Sequence, residues 1–204
     1  MEIVVPTSWQ DVSVNQYQAL AEIDKDKYKT DLAYTSAIIQ VLCNIDNVNK
    51  LPLSAINEIA PLISFLSKEP ETKIKNKLTY KGVDYEWLES FNAITVGEAI
   101  SIELPIELEE LSITLSYDVV LAVMLRENGK EFDAKDFNKN RELFGELPIT
   151  EVLGNILFFL SGGQTSTKYL KGYLIVPKIT TTLHQKRCSK WKRLLRKIKV
   201  IISG

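Results

Sequence analysis

Helix-start signals recur along this chain, and each is followed by a proline, a glycine or a charged run that closes the segment it opens. Ser13-Val14-Asn15-Gln16 has the Ser-x-x-Gln form of a capping box, and Val14, Tyr17, Leu20 and Ala21 follow at helical spacing, which predicts a helix over about 13–24. The charged run Asp24 to Lys29 reads as a loop. Thr30 caps a second helix carrying Leu32, Ala37, Ile38, Val41 and Leu42 and ending near Ile45. A third begins at Leu51-Pro52-Leu53-Ser54 and runs toward Leu66, with Pro61 as a break or kink.

The periodicity changes after Pro70. Ile74, Leu78 and Tyr80 alternate with polar residues up to Lys81-Gly82, and Val83, Tyr85 and Trp87 alternate beyond it, so a β-hairpin is expected near 72–88. Thr95-Val96-Gly97-Glu98 is a second capping box, opening a helix with Ala99, Ile100 and Ile102 that Pro105 is expected to stop. A further helix is predicted over about 112–126, closed by Asn128-Gly129, then a short one from Asp133 and a last one from Pro148 to Leu160. The expected fold is mainly α: a compact helical body, one small β-hairpin and a basic amphipathic C-terminal helix.

Charge divides the chain more sharply than any linker does. The formal net charge of -1 comprises 25 Lys and Arg against 26 Asp and Glu, yet no acidic residue follows Glu151. Residues 152–204 hold 11 of the cations, leaving 14 against all 26 carboxylates in residues 1–151. The small polar stretch Gly162 to Thr167 coincides with this change. The expected organisation is therefore a body over 1–163 and a basic arm over 164–204.

With 204 residues, 45% hydrophobic and 25% charged, the composition is that of a globular chain and excludes disordered, collagenous and disulfide-scaffold classes. Cys43 and Cys188 are far apart and outside any CxxC pair, which suits a reducing compartment. The N-terminal Met1 to Pro6 has no basic flank or long apolar core, so an intracellular protein is expected. No apolar run, Val119 to Leu125 and Ile156 to Leu160 included, approaches the roughly 18–20 residues that span a bilayer, and no transmembrane segment is expected.

No catalytic constellation emerges. The single histidine, His184, lies beside Lys186 and Arg187 without a second metal ligand, a poor place for a general base. Glu131, Asp133 and Asp136 offer the oxygens that Mg²⁺ takes, but helix capping explains them better, with Asp133 as N-cap and Asp136 in the first turn. Glu103, Glu107, Glu109 and Glu110 read as a solvated acidic rim. Gly162-Gly163-Gln164-Thr165-Ser166-Thr167-Lys168 lacks the Gly before Lys and the hydroxyl after it that a phosphate loop needs. No catalytic residue, cofactor or metal is expected.

The arm is the remaining candidate. Lys186, Arg187, Lys190, Lys192, Arg193, Arg196, Lys197 and Lys199 interleave with an apolar stripe of Cys188, Trp191, Leu195, Ile198 and Ile202. Together with Trp191 these cations are the candidate contacts to a partner protein or nucleic acid. Such a helix packs on its own body or a neighbouring copy, docks in an acidic groove, holds phosphates, or lies on an anionic membrane.

An ordered set of motifs adds to this reading. Trp9 to Tyr17, Leu51-Pro52-Leu53, Tyr80 to Tyr85, Ile94 to Glu98, Leu121 to Arg126, Lys130 to Asp133, Arg141, Leu147-Pro148-Ile149 and Asn155 to Leu160 resemble small tail-morphogenesis proteins of bacteriophages, particularly phages of Bacteroides-like hosts. The resemblance covers residues 9–160. It implies a non-enzymatic tail-assembly chaperone or a hub or baseplate component, present in the host cytoplasm during assembly or in the virion tail. Implied partners are other tail proteins, among them the tape-measure protein, or further copies of the chain. The arm lies outside the resemblance, and a nucleic-acid-binding phage accessory protein is the alternative it suggests.

Overall fold

The computed structural model describes residues 3–88, 93–108 and 116–160. Within them the chain is mainly helical, with a small three-stranded antiparallel sheet. The elements run α1 (Val14–Glu22), α2 (Asp31–Leu42), α3 (Leu53–Leu62), β1 (Lys77–Tyr80), β2 (Val83–Trp87), α4 (Val96–Leu108), α5 (Tyr117–Met124), β3 (Leu125–Glu127), α6 (Phe137–Gly145) and α7 (Ile149–Leu160). The arm, with every candidate contact from Lys186 to Lys199, lies outside the described residues, as do His184 and the Gly162 to Lys168 stretch.

Local chemistry explains where the helices begin. The Ser13 backbone N–H donates to Gln16 Oε1 at 2.8 Å while the Gln16 N–H donates to Ser13 Oγ at 3.2 Å, so two otherwise orphaned donors are satisfied reciprocally. Thr30 Oγ1 accepts from the Ala33 N–H at 3.1 Å and caps α2. Pro52 precedes α3, and just past Pro61 the helix gives way to a 3₁₀ turn over Ile63–Ser67. Lys81 and Gly82 both have positive φ, 49° and 78°, and join Tyr80 to Val83 in a two-residue turn whose twist matches the flanking strands.

α5 is the centre of the body. All eight of its residues are buried, and it packs against α1, α4, α6 and α7. Its sequence, YDVVLAVM, carries apolar residues on every side, as a helix enclosed by neighbours requires. Leu20, Ile39, Leu42, Leu121, Phe144 and Leu153 are among the residues that join α1, α2 and α5–α7 in one core. The two ends of the body meet at a short ladder: the Val14 N–H donates to the Leu147 carbonyl and the Ile149 N–H to the Val12 carbonyl, both at 2.9 Å. All four of these residues are 0% exposed, so no water competes for the bonds.

Four expectations require correction. The predicted helix over 112–126 ends at Met124, and Leu125–Glu127 turn extended as β3, pairing Trp87 with Leu125 and Tyr85 with Glu127. The open edge of β2 supplies the partners that this segment would otherwise have found in another helical turn. The hairpin is thus the first two strands of a three-stranded sheet. Asn128-Gly129 closes a strand rather than a helix: the Asn128 N–H donates to the Asp84 carbonyl at 2.9 Å, and Gly129 has φ 79°.

Pro105 does not stop α4, whose backbone continues to Leu108. Its missing N–H costs one backbone bond, and the strong helix formers around it, Glu103, Leu104, Glu107 and Leu108, carry the helix through. Finally, strand pairing begins at Lys77 and not near residue 72. The residues before it form a strap across α7. The Lys75 N–H donates to Asn155 Oδ1 at 2.9 Å, and Asn155 Nδ2 donates back to the Lys75 carbonyl at 2.8 Å. Lys75 Nζ also pairs with Glu151, one helical turn before Asn155.

Candidate docking face on α4

The start of α4 is fixed by its own sequence. The Thr95 N–H donates to Glu98 Oε2 at 2.6 Å and the Glu98 N–H donates to Thr95 Oγ1 at 3.3 Å, the second capping box. The same Glu98 carboxylate pairs through Oε1 with the Arg126 guanidinium of β3. Glu98 is 1% exposed, so one buried side chain both caps the helix and ties it to the sheet. One turn further on, Ile102 packs with Val119, Ala122 and Val123 of α5 and Phe137 of α6.

The opposite side of α4 is not covered by the described residues. Val96 is 78% exposed and Ile100 46%, one helical turn apart. Ile100 and Ile102, both apolar positions of this helix, part company: Ile102 is buried and Ile100 exposed. A signal was present in the sequence: Val96, Ala99, Ile100 and Ile102 spread apolar residues over more of the helix start than one buried stripe takes up.

Ile94, two residues before α4, also packs beside the end of α7. It touches a cluster of Val120, Met124 and Phe159, and Trp87 stacks on Phe159 with ring centroids 5.9 Å apart. The last described turn of the chain therefore lies against the segment that leads into α4.

Within the acidic group Glu131, Asp133 and Asp136, the side chain of Asp133 caps while that of Asp136 makes no capping bond. Asp133 Oδ1 accepts from the Lys135 N–H at 2.9 Å, and Asp136 is the residue before α6. Glu131, Asp133 and Asp136 line a cavity of about 110 Å³ together with Arg126, Lys130 and Lys139, so cations alternate with the carboxylates. Among the described residues no three metal-ligating side chains converge.

A second network clamps α5 and α6, against which α4 packs. Arg141 Nε donates to Asp118 Oδ2 at 2.8 Å, and Gln18 Nε2 donates to Asp118 Oδ1 at 3.0 Å, while the Asp118 N–H donates to Gln18 Oε1 at 3.1 Å. α1, α5 and α6 are held by one carboxylate. Cys43 is half-buried, and burial pushes its thiol up from the usual range, which disfavours the reactive thiolate. No helix among the described residues is long and apolar enough to cross a membrane.

No known protein family, curated protein or solved structure matches this chain.

Proposed function

We propose that this chain is a non-enzymatic bacteriophage tail-assembly or structural protein, a chaperone or a hub or baseplate component, acting through protein–protein contacts. The observation that carries this reading is the outward pair Val96 and Ile100 on a helix anchored to a rigid base by Glu98. Exposed apolar side chains on a fixed element are what a docking partner covers. The surplus of carboxylates in residues 1–151 supports the same reading, since a charged body steers oppositely charged partners and repels wrong ones. The motif resemblance over residues 9–160 supplies the tail as the setting.

The test is recovery from infected cells. The tagged chain is expected to co-purify with identified tail proteins, and Val96→Glu combined with Ile100→Glu is expected to reduce that recovery at least tenfold. Recovery without any tail protein overturns the proposal. Mass spectrometry of purified virions then separates its two forms: presence there supports the structural role, and presence in lysate alone leaves the chaperone.

The cation-rich arm favours a second reading, nucleic-acid binding. Neutralising six to eight phosphates makes affinity fall roughly 10³–10⁵-fold between 50 and 200 mM salt. Filter binding measures this slope directly, and an affinity unchanged by deleting residues 185–204 excludes the reading.

A further inference from the structure

We infer that in the isolated chain the outward face of α4 is covered by the chain's own segment 186–202. The face and the segment match in two respects. Val96 and Ile100 are apolar, exposed and one helical turn apart, on a chain whose residues 1–151 hold 26 carboxylates against 14 cations. Segment 186–202 carries the reverse pairing, an apolar stripe through Trp191 and Leu195 flanked by the eight cations between Lys186 and Lys199. Apolar surface meets apolar surface while cations meet carboxylates, the arrangement that fixes register as well as affinity.

The described chain ends near the face. α7 ends at Leu160, where Phe159 packs in the cluster that Ile94 joins just before α4. Residues 161–185 connect that point to Lys186. A coil of that length has a root-mean-square span of roughly 25–30 Å, comparable with the dimensions of a small domain. A tether of this kind holds its ligand at an effective concentration on the order of millimolar. At micromolar protein the chain's own segment therefore outcompetes that of a second copy by roughly a thousandfold. This holds for the isolated chain whatever assembly it serves.

The test uses the full chain and its own thiol. Cys43→Ala leaves Cys188 as the single native cysteine, and Ile100→Cys adds a partner on the face. With oxidised glutathione at micromolar protein, an intramolecular disulfide is expected to form at least tenfold faster than in the matched chain carrying Leu53→Cys, a position 58% exposed on α3. Its rate is expected not to change with protein concentration. Equal rates at the two positions overturn the inference. So do disulfide dimers whose rate rises with concentration, which assign the face to a second copy.

A second measurement guards against a variant that perturbs folding. Amide exchange over residues 96–102 is expected to quicken about tenfold in full chains carrying Trp191→Asp and Leu195→Asp, with α2 unchanged. Exchange unaltered in α4 also overturns the inference. Both readouts are made on the purified chain, so neither outcome depends on whether tail proteins are recovered from infected cells.

Discussion

Glu98→Gln is expected to lower the stability of the body by about 3 kcal/mol, the low end of the range for breaking a buried ion pair from one side. The low end applies because the Arg126 side chain keeps 22% exposure and so retains some hydration. The loss is nevertheless large, because the guanidinium is left without its carboxylate in a place where its Nε has no partner among the described residues. For a body of this size the melting temperature should fall by about 6–12 °C. Calorimetry measures it, and a fall under about 2 °C would show that Glu98 acts only as a cap. Thr95→Ala separates the two roles, since losing the cap alone costs about 1 kcal/mol. Replacing both partners, Glu98→Leu with Arg126→Met, is expected to recover most of the loss, because no charge is then stranded.

Gly154→Ala is the second large effect, and two terms oppose each other there. Ala is favoured over Gly in a helix interior by about 1 kcal/mol. Against this, a Cβ at residue 154 would stand 2.2 Å from the Lys73 carbonyl oxygen and 2.5 Å from its carbon. Those are backbone atoms of the strap, and the strap is pinned two residues later by the reciprocal bonds between Lys75 and Asn155. Relieving the clash means lifting the strap, which adds about 1 kcal/mol for each bond lost to overpacking strain of about 1–3 kcal/mol. The net expectation is a destabilisation of about 2–4 kcal/mol.

Gly145→Ala is the contrast. The three atoms nearest its Cβ would all belong to the Asn15 side chain, the closest at 2.4 Å, and a side chain can turn away. Thermal melts of both variants decide the matter. A Gly154→Ala protein as stable as the parent would mean that the strap does not lie across α7.

Most helix starts were legible because their chemistry is local. Ser13 with Gln16, Thr30 with Ala33 and Thr95 with Glu98 form bonds within four residues, and the sequence carries both partners side by side. The Lys81-Gly82 turn was legible for the same reason. β3 was not, because Leu125 and Arg126 are good helix formers, and what makes them extended is an edge strand nearly forty residues earlier in the chain. Pro105 misled in the opposite direction, since a rule about one missing hydrogen bond was outweighed by its neighbours.

The candidate site was legible only in part. Capping by Asp133 could be read from Asp133 and Lys135, but nothing near Glu98 in sequence announces Arg126 as its partner. The exposure of Ile100 depends on which side of α4 meets α5, a long-range choice that a spacing of apolar residues does not record. Gly154 carried no signal at all, because the strap it admits is more than seventy residues away.

The ladder joining Val12 and Val14 to Leu147 and Ile149 sets an order of events during synthesis. The chain emerges from its N-terminus, so α1 and α2 are made long before their deepest partner exists. Val12 and Val14 remain without their strand-like contacts until Ile149 has been added, and α5 remains without α6 and α7 beside it. The nascent body is thus committed to waiting for its last helix, and a premature stop before residue 147 yields a half-built core with open apolar surface rather than a smaller stable protein.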